Sequence, residues 1–492
     1  MNANFADLVR ATARRYADRP ALVDGVRLLT WQQLDEAVDA AARGFAAAGL
    51  VPGYRVVLLM ANSVDFVTSY LGCLRAGLVA VPLNTGLTAP EIAGVLEDSG
   101  ARLVVADGAL AGKVADEDVR VVRPGELTGD ALLADAADPE ALALLLYTSG
   151  TSGEPRAAML THRALLANVE HLTRLADRDS DAAMNADDVV LGVLPLFHVF
   201  GLNAVLGWVC ATGASLVLTQ RFDSEGTLAL VREHGITRLP LAPPAIVAWL
   251  GRDDLSTALK TVRMVLTGAS ALDPAVAARF RELTGLHVHQ GYGLTEAAPG
   301  VTTTLGGGEP APGSVGRPLP GVELRIVDEQ GDDTDGRGDD QDPGEILVRG
   351  ANLFSGYWPD GTGGPDDDGW YPTGDVGYLD GDGQLYLIDR KRELVIVSGF
   401  NVFPVEVEEV LVGAPGVREA AVIGVPAPDT GEAVKAFVVP RTGEQIDVEA
   451  VRSYAGSRLA PFKCPVEIEV VDQLPHSVTG KVAKGRLRGA DR

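Results

Sequence analysis

The sequence predicts an α/β protein in which a parallel, helix-covered sheet comes first, a β-rich subdomain follows, and a small α+β domain ends the chain. Three observations carry this prediction. Short apolar runs alternate with helical patterns over the first two-thirds of the chain, strand-like runs follow one another with little helix from about Gly321, and alternation returns in the C-terminal part. Strands that alternate with helices are typical of a parallel sheet covered by helices.

The apolar runs of the first part predict buried strands. They are Val56–Met60, Val79–Pro82, Leu103–Ala106, Leu144–Tyr147, Ser215–Leu218, Arg238–Leu241 and Met264–Thr267. The segments between them have helical periodicity, for example Asp35–Ala48 and Pro274–Thr284. The stretch from Met1 to Pro20 predicts an amphipathic helix rather than a signal peptide, because it lacks an apolar core.

The remaining elements divide the chain further. The β-rich part contains the predicted strands Val322–Val327, Glu345–Arg349 and Gln384–Ile388. The last part contains two predicted helices and three predicted strands, which are Val405–Leu411, Val448–Ala460, Glu419–Val425, Ala433–Pro440 and Glu467–Val471. A charged segment follows a strand near Asp389–Arg392, which predicts domains of residues 1–389 and 390–492.

Charge and composition exclude several classes of protein. The net charge of −25 argues against a nucleic-acid partner, because phosphates require a basic face. Three widely separated cysteines outside any CxxC pair argue against a secreted disulfide framework and favour the cytoplasm. Polar residues and glycines interrupt Leu196–Leu218, which predicts a buried helix followed by a strand and no membrane insertion. The acidic, glycine-rich stretches Asp328–Asp342 and Asp360–Gly369 predict solvated loops.

A short apolar strand that runs into a loop of hydroxyls and glycines predicts a phosphate site. Residues 144–156 read LLLYTSGTSGEPR, and the two glycines allow the backbone N–H groups to converge on an anion. Four hydroxyl residues and one arginine add donors and charge. The residues concerned are Thr148, Ser149, Gly150, Thr151, Ser152, Gly153 and Arg156. The spacing is not that of a Walker P-loop, and a plain Ser/Gly-rich turn is the alternative.

Further motifs are ambiguous when each is taken alone. In QGYGLTE, residues 290–296, glycines flank Tyr292, and Thr295 with Glu296 offers oxygen ligands for Mg²⁺. Asp375, in YPTGDVG, could accept hydrogen bonds from a ribose diol or cap a turn. The charged run that begins at Asp389 continues into VSGFN, and LPHSVTGK presents Lys481 near the C-terminus.

Taken together, and in this order along the chain, the motifs resemble those of the adenylate-forming superfamily of acyl-CoA synthetases, adenylation domains and luciferases. The resemblance extends from Leu29-Thr30-Trp31 to Lys481. The sequence from Asp389 to Pro404 is most similar to that of the fatty acyl-CoA and 4-coumarate-type CoA ligases. The resemblance implies an N-terminal AMP-binding domain of two helix-covered sheets plus a β-barrel-like subdomain, and a small mobile C-terminal lid.

The resemblance also implies residue roles. Thr148–Gly153 and Arg156 would hold the ATP phosphates, and Glu296 with Thr151 would hold Mg²⁺, assisted by Thr295. The adenine would be bordered by Gly268, Ala269, Gly291, Tyr292 and Gly293. Asp375 and Arg390 would hold the ribose, Arg392 would be the hinge, and Lys481 would serve adenylation. The CoA channel would be lined by Ser398, Gly399 and Phe400.

The implied function is an acyl-CoA synthetase that uses ATP, Mg²⁺ and coenzyme A. A carboxylic acid reacts with ATP to give acyl-AMP and pyrophosphate, and the acyl group then passes to CoA with release of AMP. A medium- or long-chain fatty acid is the expected substrate. An aryl-CoA ligase similar to 4-coumarate ligases, or an acyl-AMP ligase that loads a carrier protein, is the alternative. A homodimer is left open.

Two positions bear on the substrate, and one departs from the family. His198 lies where the resemblance places a gate beside the acyl pocket and where amino-acid-activating relatives carry an Asp, which disfavours an amino acid. Gly291 stands where the malonate-activating branch has an Arg, and together with Gly293 it is expected to leave space for a chain or ring. Arg156-Ala157 replaces the usual Lys-Gly, which keeps the positive charge with a different geometry.

Overall fold

The computed structural model describes residues 3–114, 118–133, 138–149, 155–180, 182–269, 272–328, 331–334, 344–390, 395–402, 404–475, 484 and 487. The chain forms two compact units. The larger comprises Met1–Thr85, Leu96–Leu146 and Ala157–Asp389, and the smaller comprises Gly86–Val95, Tyr147–Arg156 and Arg390–Arg492. The predicted fold class, α/β with a large N-terminal sheet domain and a smaller C-terminal domain, is confirmed. The assignment of residues 1–389 and 390–492 as an AMP-binding domain and a lid stays a prediction.

The helices alternate with strands through most of the chain. In chain order they are α1 (Asp7–Tyr16), α2 (Trp31–Ala47), α3 (Val64–Arg75), α4 (Ala89–Ser99), α5 (His162–Thr173), α6 (Trp208–Thr212), α7 (Ser224–His234), α8 (Pro243–Trp249), α9 (Leu255–Ala258), α10 (Pro274–Thr284), α11 (Pro404–Val412) and α12 (Val448–Gly456). Short 3₁₀ turns occupy Ala111–Val114, Arg174–Asp177, Thr295–Ala297 and Pro461–Lys463, and a π-helix occupies Phe200–Gly207.

The strands form three sheets. In chain order they are β1 (Pro20–Asp24), β2 (Arg27–Thr30), β3 (Arg55–Leu59), β4 (Val79–Pro82), β5 (Leu103–Ala106), β6 (Arg120–Val122), β7 (Leu142–Ser149), β8 (Pro155–Thr161), β9 (Val189–Gly192), β10 (Ser215–Leu218), β11 (Arg238–Leu241), β12 (Met264–Thr267), β13 (Val288–Gly293), β14 (Gly300–Thr303), β15 (Ser314–Pro318), β16 (Val322–Val327), β17 (Gly344–Gly350), β18 (Trp370–Leu379), β19 (Leu385–Arg390), β20 (Val395–Val397), β21 (Phe400–Val402), β22 (Val417–Ala427), β23 (Gly431–Pro440) and β24 (Glu467–Val470).

The first sheet has the strand order β6-β5-β3-β4-β7-β8. Strand β3 pairs in parallel with β4 and β5, β5 with β6, and β4 with β7. The strands β4 and β5 are buried at every position, as expected for strands covered by helices on both faces. The parallel sheet predicted from the apolar runs is therefore present.

The second sheet joins a parallel half to an antiparallel half. Its order is β16-β17-β18-β19-β15-β14-β13-β12-β11-β9-β10-β1-β2. Strand β12 pairs in parallel with β13, with Thr267 opposite Gln290, and β14 then pairs antiparallel with β13. The strands predicted for the β-rich part lie in the antiparallel half. This half continues from the parallel half through the pairing of β13 with β14. The predicted site residues Gly291, Tyr292 and Gly293 lie on β13, where the two halves meet.

Helix starts are fixed by polar caps. The Thr30 side chain accepts from the Gln33 N–H, and the Gln33 side chain accepts from the Thr30 N–H, which forms a capping box. Helix α2 therefore begins at Trp31, four residues before the predicted Asp35. Asp273 caps the N-terminus of α10, whose first residue is Pro274. The helix ends before Gly285, which has a left-handed backbone conformation.

The segment considered for membrane insertion lies in the core. Within it, Phe200–Gly207 and α6 are followed by β10, which confirms the predicted buried helix and strand. None of the helices in the described parts of the chain is both long enough and apolar enough to cross a bilayer.

The smaller unit has its own sheet and core. Its strands have the order β21-β20-β23-β22, and β24 pairs with β23 in parallel. Residues of β20, β22, β23, α11 and α12 share one hydrophobic cluster, so the predicted α+β character is confirmed. Helix α12 ends at Gly456, four residues before the predicted Ala460.

The acidic stretch Asp360–Gly369 forms turns held by its own carboxylates. Asp366 Oδ1 accepts from the N–H groups of Asp368 at 3.0 Å and Trp370 at 2.8 Å. This is the ordinary use of Asp in turns, and it agrees with the predicted surface loop. Most of the other acidic stretch, Asp328–Asp342, lies outside the described residues.

Candidate active site

The predicted adenine and ribose residues Tyr292 and Asp375 are in direct contact. Tyr292 lies on β13 and Asp375 on β18, and the phenolic O–H donates to Asp375 Oδ2 at 2.6 Å. The Asp375 N–H donates to Thr373 Oγ1 at 3.1 Å, and the residue is only 8% exposed. A buried carboxylate held at both its backbone and its side chain is pre-organised to accept hydrogen bonds from a ligand.

The predicted adenine-border residues Gly268 and Ala269 follow β12, next to β13. A Cβ on Gly268 would meet the Gly291 carbonyl oxygen at 3.2 Å and the Phe200 ring at 3.2 Å, so Gly268 lies against both of these residues. Ala269 has φ = 71°, which a residue with a side chain rarely adopts. Backbone in this region tends to cluster at functional sites.

The two glycines that flank Tyr292 differ in their surroundings. A Cβ on Gly291 would make only one ordinary contact, at 3.5 Å from the Thr302 carbonyl oxygen. A Cβ on Gly293 would collide with the Pro299 carbonyl oxygen. The expectation that both glycines leave space for a substrate is therefore wrong for Gly293, which instead allows the chain after Glu296 to fold back on β13.

The predicted metal ligand Glu296 lies in the 3₁₀ turn Thr295–Ala297 and is partly buried. Tyr357 O–H donates to Glu296 Oε1 at 2.6 Å, and the Phe354 N–H donates to the Glu296 carbonyl oxygen at 2.8 Å. Burial, followed by the nearby Glu296 charge, raises the pKa of Tyr357 above its ordinary range. The Tyr357 hydroxyl therefore keeps its proton at neutral pH and donates it to Glu296 Oε1.

Buried asparagines hold the chain that follows Glu296. Asn203, in the π-helix, donates through Nδ2 to the Ala298 carbonyl oxygen at 2.6 Å. Asn352 donates through Nδ2 to the carbonyl oxygens of Ala297 at 2.6 Å and Gly300 at 2.8 Å. Both asparagines are fully buried. Side chains from two distant parts of the chain thus fix the path of the loop that carries Glu296.

Replacing Asn352 by alanine is expected to lower the free energy of unfolding by about 2–4 kcal/mol, because two buried carbonyl groups lose their donors. Chemical denaturation followed by circular dichroism measures this change. Gln32→Ala, which removes an exposed amide bonded to Glu36, serves as the control with an expected change within about 0.5 kcal/mol. Equal stability of Asn352→Ala and Gln32→Ala would show that the Asn352 hydrogen bonds contribute nothing net.

His198 occupies the position predicted for an acyl gate. Its Nδ1 accepts from the Phe200 N–H at 3.3 Å, so the proton of the neutral ring lies on Nε2. Burial lowers the pKa of His198 to about 4. The imidazole is therefore uncharged at neutral pH. The uncharged imidazole is hydrogen-bonded to the backbone of Phe200, whose ring lies beside Gly268.

The predicted phosphate loop is described only at its two ends. Thr148 Oγ1 donates to the Arg156 carbonyl oxygen at 3.3 Å, and Ser149 ends β7, with its side chain outside the described part. Gly150, Thr151, Ser152 and Gly153 lie outside the described residues. Their assignment to ATP phosphates stays a prediction.

The C-terminal residues are described in part. Ser398 (φ 51°) and Gly399 (φ 82°) form the two-residue turn between β20 and β21, and the Phe400 ring packs on Phe462 with centroids 4.7 Å apart. Positive φ at both turn positions suits the twist of a β-hairpin. Arg390 ends β19 without a described side chain, and Arg392 and Lys481 lie outside the described residues.

Glu296 offers a carboxylate oxygen, the kind of donor that Mg²⁺ prefers. Among the described residues no group of three or more His, Cys, Asp or Glu is close enough to hold a metal ion. His289, on β13, is partly buried, and its Nδ1 lies 3.3 Å from Thr304 Oγ1. Mg²⁺ is commonly bound through one or two carboxylates plus substrate phosphates, which Glu296 with bound ATP could supply.

Comparison with protein families decides the relationship of the chain. A family model described as AMP-binding enzyme matches residues 9–358, and one described as AMP-binding enzyme C-terminal domain matches residues 406–481. The chain belongs to the AMP-binding enzyme family. The predicted membership of the adenylate-forming superfamily is confirmed.

Curated relatives of this AMP-binding enzyme include CoA ligases with different acids. It is 35% identical to 4-coumarate–CoA ligase 5 of Oryza sativa subsp. japonica, over 96% of this chain and 91% of the relative. It is 32% identical to the long-chain-fatty-acid–CoA ligase of Bacillus subtilis, over 99% of this chain and 94% of the relative. The predicted enzyme class, an AMP-forming acid–thiol ligase, is confirmed, and the acid is not decided by these relatives.

Solved structures share the fold of this AMP-binding enzyme over its whole length. The o-succinylbenzoate CoA synthetase MenE of Bacillus subtilis is 28% identical with a TM-score of 0.88, covering 99% of this chain and 98% of MenE. The amide bond synthetase McbA of Marinactinospora thermotolerans is 28% identical with a TM-score of 0.89, covering 99% of each chain.

Tyr357, Asn203 and Asn352 were not predicted from the sequence. Tyr357 stands in SGYW, a glycine-aromatic run without a recognisable spacing, and is 61 positions from the carboxylate it contacts. Asn203 is one of the polar residues that interrupt the apolar stretch Leu196–Leu218. A single Asn within an apolar stretch indicates a buried side chain that needs hydrogen-bond partners, and this is the one sequence signal for its structural role.

Proposed function

We propose that this AMP-binding enzyme activates a monocarboxylic acid with an uncharged tail, a medium- or long-chain fatty acid foremost, and transfers the acyl group to coenzyme A. The observation that carries the proposal is the neutral His198 imidazole, which accepts a hydrogen bond from the N–H of Phe200, the residue whose ring lies beside Gly268. A charged tail buried there without a partner would lose several kcal/mol of hydration, whereas each buried CH₂ gains roughly 0.8 kcal/mol.

The nucleotide is assigned to residues with matching chemistry. The Asp375 carboxylate, oriented by Tyr292, and Arg390 would hold the ribose hydroxyls, and Gly268 with Ala269 would border the adenine. The loop from Thr148 to Gly153 and Arg156 would hold the phosphates through N–H groups, hydroxyls and charge.

The two half-reactions balance as follows. A carboxylate oxygen of the acid attacks the α-phosphorus, the bond to the bridging oxygen breaks, and pyrophosphate leaves. The CoA thiolate then attacks the acyl carbon of the mixed anhydride, and AMP leaves.

Lys481 would stabilise the negative charge that develops at the α-phosphate. Mg²⁺, when bound by Glu296 and Thr151, would neutralise phosphate charge. Arg392 would act as the hinge, and Ser398–Phe400 would line the path of CoA.

Two other readings rest on specific observations. The similarity to a 4-coumarate–CoA ligase favours an aryl acid, which Phe200 and a neutral His198 would also accept. The likeness in fold to McbA, an amide bond synthetase, favours an acceptor other than CoA. An acyl-AMP ligase that loads a carrier protein belongs with this second reading, because only the acceptor differs.

The acid and the acceptor are tested together by a substrate panel. Acetate, hexanoate, octanoate, dodecanoate, 4-coumarate, malonate and phenylalanine are each supplied with ATP, Mg²⁺ and CoA, and both AMP and thioester are measured. We expect kcat/KM to rise along the aliphatic series until the pocket is filled and then to fall, by up to about fourfold per CH₂ from the burial energy. AMP and thioester are expected in equal amounts.

Other results of the panel have distinct meanings. Malonate or phenylalanine as the best substrate contradicts the uncharged pocket, and acetate as the best shows that the pocket is closed despite Gly291. A preference for 4-coumarate selects the aryl alternative. AMP without thioester for every acid contradicts CoA as the acceptor.

A further inference from the structure

The Glu296 carboxylate is bound by a tyrosine that no motif of the chain singles out. The Tyr357 O–H donates to Glu296 Oε1 at 2.6 Å, and the Tyr371 hydroxyl lies 3.3 Å from the Tyr357 hydroxyl. We propose that Tyr357 is a positioning residue for the Glu296 carboxylate, which it holds in the orientation that accepts a divalent cation together with ATP. This inference rests on the metal role proposed above for Glu296.

The Tyr357 ring is fixed from two sides. Phe354 packs edge-on against the rings of both Tyr357 and Tyr371, with centroids 5.0 Å apart and interplanar angles of 77° in each case. All three aromatic side chains are buried. The hydroxyl of Tyr357 therefore cannot swing away from Glu296 without disturbing this packing.

The backbone on both sides of the hydrogen bond is also fixed. The Trp358 N–H donates to the Ala157 carbonyl oxygen at 2.9 Å, and the Met159 N–H donates to the Gly356 carbonyl oxygen at 3.1 Å, so Tyr357 is held against β8. On the other side, the Phe354 N–H donates to the Glu296 carbonyl oxygen at 2.8 Å. Backbone hydrogen bonds therefore fix both the segment that carries the donor, Tyr357, and the segment that carries the acceptor, Glu296.

A fixed donor orients the Glu296 carboxylate before a cation binds. A glutamate side chain has rotamer freedom that it must lose when it binds a cation. A short, charge-assisted hydrogen bond to one oxygen removes much of that freedom before the cation arrives, while the carboxylate keeps further lone pairs as acceptors. Pre-organisation of this kind raises affinity without adding a ligand.

The inference is tested with Tyr357→Phe in the full-length protein. Phenylalanine keeps the ring that packs on Phe354 and removes only the hydroxyl. Mn²⁺ is used as the probe, and its binding in the presence of α,β-methylene-ATP is followed by electron paramagnetic resonance. We expect the Mn²⁺ dissociation constant to rise about tenfold, the effect typical of one hydrogen bond to a charged group. In turnover, the Mg²⁺ concentration for half-maximal rate should rise with it, while KM for the acid stays unchanged.

Tyr70→Phe is the matched control. Tyr70 is a buried tyrosine of the same unit whose hydroxyl has no hydrogen-bond partner among the described residues. It undergoes the same chemical change and should bind Mn²⁺ as the parent protein does. Unfolding curves of both variants separate a loss of fold from a loss of cation binding.

Each outcome is decisive. Tyr357→Phe with unchanged Mn²⁺ binding overturns the inference, provided that Glu296→Gln weakens Mn²⁺ binding. If Glu296→Gln also leaves Mn²⁺ binding unchanged, the proposed metal role of Glu296 fails, and the inference fails with it. Weaker Mn²⁺ binding in Tyr357→Phe supports the inference if Glu296→Ala, which cannot accept the hydrogen bond, shows no further loss when Tyr357→Phe is added.

Discussion

Lys481→Ala is expected to abolish formation of the acyl-adenylate while sparing the transfer of a supplied acyl-AMP to CoA. The attack of a carboxylate on the α-phosphate builds negative charge between two anions, and Lys481 is proposed to stabilise that charge only in the first half-reaction. Loss of such a contact costs several kcal/mol, on the order of 10²-fold or more in rate. Pyrophosphate release measures the first half-reaction, and thioester formed from synthetic acyl-AMP measures the second.

The control for this prediction is Lys260→Ala, which removes an exposed lysine of the larger unit. Both half-reactions of Lys260→Ala should match those of the parent protein. An equal loss of both half-reactions in Lys481→Ala would indicate a defect in folding or in the hinge rather than a lost contact with the phosphate. Lys481 lies outside the described residues, so the prediction rests on the LPHSVTGK motif and the family resemblance.

The buried parallel strands were the part of the fold that could be predicted most closely. Val79–Pro82, Leu103–Ala106 and Ser215–Leu218 were each predicted with the bounds of the observed strand. Strands of a helix-covered sheet are apolar on both faces, so they stand out as continuous runs between polar residues. The edge hairpin β1–β2 was missed, because β2 is largely exposed and has no such run.

Local hydrogen bonds account for the errors in helix bounds. The apolar periodicity of α2 is clear only from Asp35, but the capping box of Thr30 and Gln33 starts the helix at Trp31. The π-helix at Phe200–Gly207 has no signature in apolar periodicity, since its residues are apolar apart from Asn203 and two glycines. Its Asn203 is tied to a carbonyl group 95 positions away, which sequence spacing cannot reveal.

The candidate site was predictable as a set of motifs but not as a geometry. Glu296 and Asp375 stand out because glycines precede each of them in the sequence, while their partners Tyr357 and Tyr292 are distant along the chain. The hydrogen bond between Tyr292 and Asp375 spans 83 positions. Gly293 shows the converse, because a glycine expected to leave room for a ligand instead leaves room for the Pro299 carbonyl group.

Glu296→Gln is expected to lower the Mg²⁺-dependent rate by on the order of tenfold to a hundredfold while leaving the fold intact. One negative charge at the proposed metal position is replaced by a neutral amide, which weakens cation binding. The amide oxygen can still accept the hydrogen bond from Tyr357, so the aromatic packing around it is preserved. The rate is measured as a function of Mg²⁺ concentration at saturating ATP, acid and CoA.

The matched control for Glu296→Gln is Glu170→Gln, which makes the same change on the exposed face of α5. Its Mg²⁺ response should be that of the parent protein, and the unfolding curves of both variants should overlap.

The way in which the rate of Glu296→Gln depends on Mg²⁺ concentration distinguishes two roles of the carboxylate. If high Mg²⁺ restores the rate of Glu296→Gln, the carboxylate acts mainly through cation affinity. A rate that stays low at saturating Mg²⁺ shows that the charge is also needed when negative charge develops on the phosphates. An unchanged rate and an unchanged Mg²⁺ response would remove Glu296 from the site.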